Sequence, residues 1–259
     1  MLWQRVLSAV IGIPLILWIS YQGGLIFCIG VAGIIFIGLY EYGSMMRYKG
    51  YEASFISAFA GGVLILMETQ GMWIIPGGAF FLILLIFIFT VLFSGRSYES
   101  VAISLTGLLL FAWTLSHLIL IRETFPTGFK YIFLAFIITW TTDTGAYCCG
   151  RLFGRHKLSP TISPNKTVEG ALGGTLLCLI VVYAAKGFFP QIPLQVLITL
   201  GGVCSVAGQM GDLMESAIKR WVGVKDSGNI IPGHGGILDR FDSLTLVAPL
   251  MYYFLKPFI

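Results

Sequence analysis

The sequence predicts an all-α integral membrane protein, a polytopic helical bundle of about nine transmembrane helices. Three observations carry that prediction. Hydrophobic residues make up 57% and charged residues only 11%, where soluble domains carry about 25% charge. The mean hydropathy is +0.89. The apolar residues are gathered into long charge-free runs, with the charges left in short segments between them.

Crossing about 30 Å of hydrocarbon takes roughly 20 helical residues. The run Val6 to Tyr40 is too long for one span, and Tyr21-Gln22-Gly23-Gly24 is a turn signal near its middle, so two spans are read there. Ala53 to Met67, Thr69 to Gly95 and Ser100 to Ile121 supply the third to fifth. Tyr131 to Gly150, interrupted only by Asp143, is the sixth, followed by Gly170 to Ala185, Gly187 to Gly211 and Ser243 to Leu255. The start resembles a secretion signal, but no small-residue cleavage site follows Ile16-Leu17-Trp18-Ile19-Ser20, so a retained first helix is expected.

With an inward amino terminus, Arg5, Arg47, Lys49, Arg96, Arg151, Arg155, Lys157, Lys166, Lys219, Arg220, Lys225 and Arg240 share one side, leaving Arg122, Lys130, Lys186 and Lys256 on the other. That asymmetry assigns the first side to the cytoplasm. It places the protein in the cell inner membrane with its charged loops facing the cytosol. The basic residues form no long stripe, so no nucleic-acid partner is expected despite a net charge of +4; a basic face suits anionic membrane lipid instead. The five cysteines fall in apolar runs without CxxC spacing and are expected to be reduced and packed.

Residues 1–125 carry few candidates for chemistry and are read as packing helices and a candidate dimer surface. Residues 126–259 form the catalytic region, with cytoplasmic loops at 151–169 and 213–240. Gly170 with Gly174, and Gly201 with Ser205 and Gly208, have helix-packing spacing. Three polar constellations stand out. Asp143 lies inside the sixth span, where a carboxylate is expensive and calls for a function, or else for a helix–helix hydrogen bond near the interface. The loop from Arg151 to Gly170 offers Arg151, Arg155, His156, Lys157 and Lys166 with hydroxyls at Ser159, Ser163 and Thr167. Such a set can hold a polyphosphate. It is not a Walker A loop, and Ser163 or Thr167 followed by Glu169 reads equally as a helix start.

The third constellation places seven of the charged residues between Ser216 and Asp242. Asp212, Glu215, Ser216 and Lys219 share one helix face. Asp239 and Asp242 would share another if the last helix begins near Leu238. Carboxylates on two helices can hold Mg²⁺ together with substrate phosphates. Between them, Gly228, Gly233, Gly235 and Gly236 permit close backbone approach, and their amides could form an anion nest.

Ser216-x-Ile218-Lys219-Arg220, then Lys225-Asp226-x-Gly228, then Pro232-x-His234-Gly235-Gly236-Ile237-x-Asp239-Arg240-Phe241-Asp242 resembles the signature of phosphatidate cytidylyltransferases, or CDP-diacylglycerol synthases, without departure. Ser163-Pro164-Asn165-Lys166-Thr167-Val168-Glu169-Gly170 is similar to a second block of that family. The resemblance implies CTP and phosphatidate as substrates, CDP-diacylglycerol and pyrophosphate as products, Mg²⁺ as cofactor and a homodimer.

On that basis a phosphatidate oxygen attacks the α-phosphorus of CTP in line, and charge neutralisation supplies most of the catalysis. Asp212 and Asp239 are the first expected metal ligands, then Asp242 and Asp226, and a second cation is admissible. Lys219, Arg220, Lys225 and Arg240 would hold phosphates. His234 either binds phosphate or braces the glycine loop. Lys166 and Asp143 could complete the nucleotide pocket. His117, mid-span, is read as packed or helix-bonded. An ion-coupled transporter and a CTP-dependent lipid kinase remain as alternatives, although transporter sites tend to sit at the bilayer midplane and these clusters collect at one face.

Overall fold

The computed structural model describes residues 2–52, 54–72, 75, 77–231, 233 and 235–259. The helices are α1 (Leu2–Gln22), α2 (Gly24–Tyr48), α3 (Phe55–Thr69), α4 (Gly78–Phe93), α5 (Tyr98–Gly107), α6 (Thr114–Thr124), α7 (Gly128–Phe153), α8 (Val168–Ala184), α9 (Leu194–Val222) and α10 (Leu238–Leu255). A π-helical segment, Leu108–Trp113, joins α5 to α6 in one rod. The described residues therefore form nine helical rods, the number expected from the runs. Five are long and apolar enough to cross a membrane: Gly24–Tyr48, Tyr98–Thr124, Gly128–Phe153, Val168–Phe188 and Leu194–Val222.

The break between α1 and α2 falls where expected. Gly23 and Gly24 both take positive φ, 67° and 53°, a conformation that side-chain-bearing residues rarely adopt. At that end of the bundle Arg122 Nε donates to Ser20 O and Glu123 accepts from the Gly24 amide. The opposite end gathers the basic loops: Arg96 reaches Glu52 O, and Lys49 lies 5.3 Å from the Trp221 ring centre.

The outer surface differs from that of a soluble protein. Leu25, Ile29, Phe81, Phe89, Leu92, Leu172, Leu176 and Ile180 are exposed on the outer faces, as lipid contact requires of helices apolar all round. The interior core draws on α2, α6, α7, α9 and α10, including Ile35, Leu115, Tyr131, Leu134, Leu200 and Met251. His117 belongs to this packing. It is 1% exposed, its Nδ1 lies 2.8 Å from Trp113 O, and its ring meets Trp113, Tyr252 and Tyr253.

Small residues bring the catalytic-half helices together, as their spacing predicts. A Cβ on Gly174 would lie 2.5 Å from Thr142 O, and one on Gly145 2.9 Å from Gly173 O. Thr142 donates to Ser205, which donates to Thr175, so a hydroxyl chain ties α7, α9 and α8. Such hydroxyl bonds across helices reinforce close packing. All five cysteines are free thiols; Cys178 and Cys204 are buried as expected and Cys28 and Cys149 half-buried, but Cys148 is exposed on α7 rather than packed.

Two features depart from the run-based reading. The loop between α7 and α8 folds as an antiparallel hairpin of β1 (Lys157–Ser159) and β2 (Ser163–Thr167), pairing Lys157 with Thr167 and Ser159 with Ser163. Helix α9 starts later than its apolar run and continues to Val222, lifting Asp212, Glu215 and Lys219 onto one rigid rod.

Candidate active site

Four pieces of chain converge at the basic end: the last turns of α9, the loop after it, the start of α10 and the β-hairpin. Thr167 closes the hairpin and caps α8, its hydroxyl accepting from the Gly170 amide at 3.1 Å. Glu169 in the first turn reaches back to the Arg155 and His156 amides and pairs with His156 Nδ1 at 2.6 Å. Both contacts match the helix-start reading of this block. The hairpin aims Lys166 at α9, where its Nζ stands 2.5 Å from Asp212 Oδ2, an ionic contact rather than an aligned hydrogen bond. Ser163 sits at the start of β2, half-buried. Arg220 secures the hairpin from the other side, donating to Ile162 O and Val224 O.

Helix α9 presents Asp212, Glu215, Ser216 and Lys219 along one face, as their spacing predicts. Ser216 Oγ lies 3.4 Å from Asp212 Oδ1, and Lys219 Nζ 2.8 Å from Glu215 Oε2. Helix α10 begins at Leu238, the expected residue, and carries Asp239 and Asp242. Its crossing with α9 is tight: a Cβ on Gly211 would lie 2.6 Å from Asp242 O. That crossing sets Asp212 beside Asp242, and the two carboxylates repel each other together with Glu215 and Asp143. Asp143, on α7, feels Asp212, Lys166 and Arg240. Arg240, Lys225 and Asp226 are exposed around this cluster.

Asp239 and Lys219 are arranged differently from the expectation of a metal ligand and a phosphate clamp. Lys219 is 8% exposed, and its ammonium is enclosed between Glu215 Oε2 and Asp239 Oδ1, the latter at 2.5 Å. Asp239 Oδ2 accepts from the Ser227 amide, the Ser227 hydroxyl and the Gly236 amide at 2.9, 3.0 and 2.8 Å. The anion held by the glycine loop is thus the protein's own carboxylate. Gly235 takes φ +82°, and a Cβ there would press on Asp239 Oδ2 at 2.6 Å. His234, expected to bind phosphate or brace this loop, lies outside the described residues.

A residue that sequence reasoning missed completes the site. Glu41 of α2, 2% exposed, accepts from the Ser227 hydroxyl and from the Ile237 and Leu238 amides. The available signal was an isolated carboxylate at the end of an apolar run, with no acidic or basic partner at helical spacing.

Among the described residues, no three carboxylate, imidazole or thiol groups stand close enough to form a ready-made metal site. The donor set nevertheless suits a hard divalent cation, being made of carboxylate oxygens. Among the described residues Glu215 Oε1 is buried with no hydrogen-bond partner, and the Asp242 carboxyl lies beside the Glu215 side chain. Two acceptors side by side need a proton or a cation between them.

Carboxylates on two crossing helices, backed by basic loops at one rim of a membrane bundle, form a site with the chemistry to hold a divalent cation and anionic phosphate groups. Residues 3–258 match the model of the Cytidylyltransferase family. The chain is 42% identical to the phosphatidate cytidylyltransferase of Staphylococcus saprophyticus over 253 residues, covering 95% of this chain and 96% of that protein. Its identity to the proteins of the same name is 42% in Staphylococcus epidermidis and 41% in Staphylococcus aureus strain COL, each with 95% of this chain and 96% of the relative covered. The chain belongs to the cytidylyltransferase family, and is an enzyme of the nucleotidyltransferase class; a transporter is not favoured.

Proposed function

We propose that the protein is a phosphatidate cytidylyltransferase, converting CTP and phosphatidate to CDP-diacylglycerol and pyrophosphate at the cytoplasmic face of the cell inner membrane. The observation that carries this reading is the meeting of Lys166 with Asp212, 2.5 Å apart, beside Asp242 at the α9–α10 crossing. It unites the cationic hairpin with the carboxylate helices at one depth. CTP is aqueous and phosphatidate is held in the bilayer, so only a rim site serves both. The excess of cations on this side supports a cytosolic orientation.

In the reaction a phosphatidate oxygen forms a bond to the α-phosphorus of CTP as the bond to the bridging oxygen of pyrophosphate breaks. Phosphate is largely ionised at neutral pH, with a second pKa of about 6, so no strong base is needed. Lys166, Arg220, Lys225 and Arg240 are the cations available to hold phosphates, and exposed Lys225 and Arg240 can meet the lipid headgroup. Asp212 and Asp242 would hold Mg²⁺, with Asp143 and Asp226 nearby and Asp239 reached through Oδ1, whose hydrogen-bond partner among the described residues is Lys219. The bound cation would neutralise charge on the nucleotide phosphates, and a second cation would extend the same role. The working unit is a homodimer, as the family resemblance implies.

The test is turnover of labelled CTP by purified protein in phosphatidate-containing vesicles. Expected are CDP-diacylglycerol and pyrophosphate, loss of turnover with a chelator and recovery with Mg²⁺. CDP as the by-product would instead identify a lipid kinase. Cross-linking in the same vesicles tests the dimer.

A further inference from the structure

Glu41 belongs to the half of the chain that carries few candidates for chemistry, yet its carboxylate is buried in the catalytic half. An ionised carboxylate taken from water is costly unless hydrogen bonds replace its hydration. Glu41 receives three: Ile237 N to Oε1 at 2.9 Å, Leu238 N to Oε2 at 3.0 Å and Ser227 Oγ to Oε2 at 3.0 Å. None of these partners is a cation. The amides are those of the N-cap, Ile237, which offers no side-chain bond, and of the first residue of α10. A helix begins with unsatisfied amides and a partial positive charge, and Glu41 answers both from a helix nearly two hundred residues away in sequence.

The surrounding sequence is shaped to admit it. A Cβ on Gly228 would meet Glu41 Oε1 at 2.7 Å, and one on Gly236 would overlap Glu41 Oε2 and the Ser227 hydroxyl. One turn before Glu41, Gly38 leaves room for Leu238, which a Cβ would meet at 2.8 Å. The Ser227 hydroxyl lies 3.0 Å from both Glu41 Oε2 and Asp239 Oδ2. A single hydroxyl proton serves one acceptor at a time, so Ser227 donates either to Glu41 or to Asp239, while its amide stays on Asp239 Oδ2.

We infer that Glu41 is a positioning residue for the transfer reaction: it caps α10 across the bundle and thereby sets the pose of Asp239 and Asp242 without touching either substrate. This rests on the reading that the α10 carboxylates act in the reaction. Deleting a supporting partner of this kind costs about 10–100-fold in activity. Glu41→Gln retains the volume but turns an amide donor toward groups that are themselves donors.

The experiment uses the full chain in phosphatidate vesicles and combines kinetics with hydrogen exchange. In Glu41→Gln, kcat should fall about 10–100-fold while KM for CTP stays within about twofold of wild type. The Ile237 and Leu238 amides should exchange faster while the other helices keep their protection. Glu41→Asp should recover part of kcat. Wild-type kcat in Glu41→Gln, or a loss of kcat without faster exchange at those two amides, would overturn the inference. If Glu41→Gln does not fold, Glu41→Asp carries the test with the same readouts, and a loss of kcat there without faster exchange at the Ile237 and Leu238 amides, or faster exchange with wild-type kcat, also overturns it. Asp239→Asn and Asp242→Asn separate the two claims. Should both turn over normally while Glu41→Gln still loosens the α10 amides, the site reading fails and Glu41 is left a structural cap only.

Discussion

Glycines of the first half meet only side chains or open space, whereas several of the second half meet backbone, even though Gly173, Gly201 and Gly208 there still abut side chains. In the first half, Gly12 and Gly33 face open space, and Gly43, Gly61 and Gly107 abut the side chains of Phe55, Leu108 and Tyr42. In the second half, Gly145, Gly174 and Gly211 press on the backbone oxygens of Gly173, Thr142 and Asp242. Side-chain ends can rotate away from an added methyl, whereas backbone at a helix crossing cannot. The N-terminal helices therefore tolerate repacking, while α7 to α10 are locked at fixed separations that place carboxylates against one another.

The largest expected effect tests whether the locked half is also held by buried charge. Lys219→Met leaves Glu215 and Asp239 without their shared cation, and breaking a buried ion pair costs about 3–5 kcal/mol. Unfolding in detergent should register that loss; stability within about 0.5 kcal/mol of wild type would show the triad to be dispensable. Next, Asp212→Asn should lower kcat by about 10²–10³-fold, the scale of losing one electrostatic stabiliser of the transition state, with the helical content unchanged. Turnover near wild type would remove Asp212 from the site.

The remaining two sharpen the comparison itself. Gly211→Ala forces a methyl onto Asp242 O, and overpacking of this kind costs about 1–3 kcal/mol; thermal unfolding and CTP turnover should both fall. Gly33→Ala, with nothing within 4 Å of its Cβ, should stay within about 0.5 kcal/mol. Equal effects of these two alanines on unfolding would erase the distinction between the halves.

Much of the fold was legible in the sequence because lipid imposes a coarse rule. Charge-free runs mark spans, and Gly23-Gly24 marks the break in the one run too long for a single crossing. The convergence of the two charged loops was legible too, since two intervening spans return the chain to the same face. Other features left weaker traces. The hairpin at Lys157–Thr167 is short, and its residues alternate too little to announce strands. The inward turn of Lys219 depends on Asp239, 20 residues on, so helical spacing reveals only its pairing with Glu215. Glu41 was missed because its partners are mainly backbone amides, which have no identity in a sequence.

The clasp between Glu41 and the start of α10 also bears on biogenesis. Glu41 is made early and Leu238 emerges 197 positions later, so the contact is of very high order and forms late. Until α10 inserts, the Glu41 carboxylate lacks the Ile237 and Leu238 amides that hold it in the finished fold. If the α10 carboxylates act as proposed, a chain whose last rod is not yet in place lacks Asp239 and Asp242 at the site and stays chemically silent.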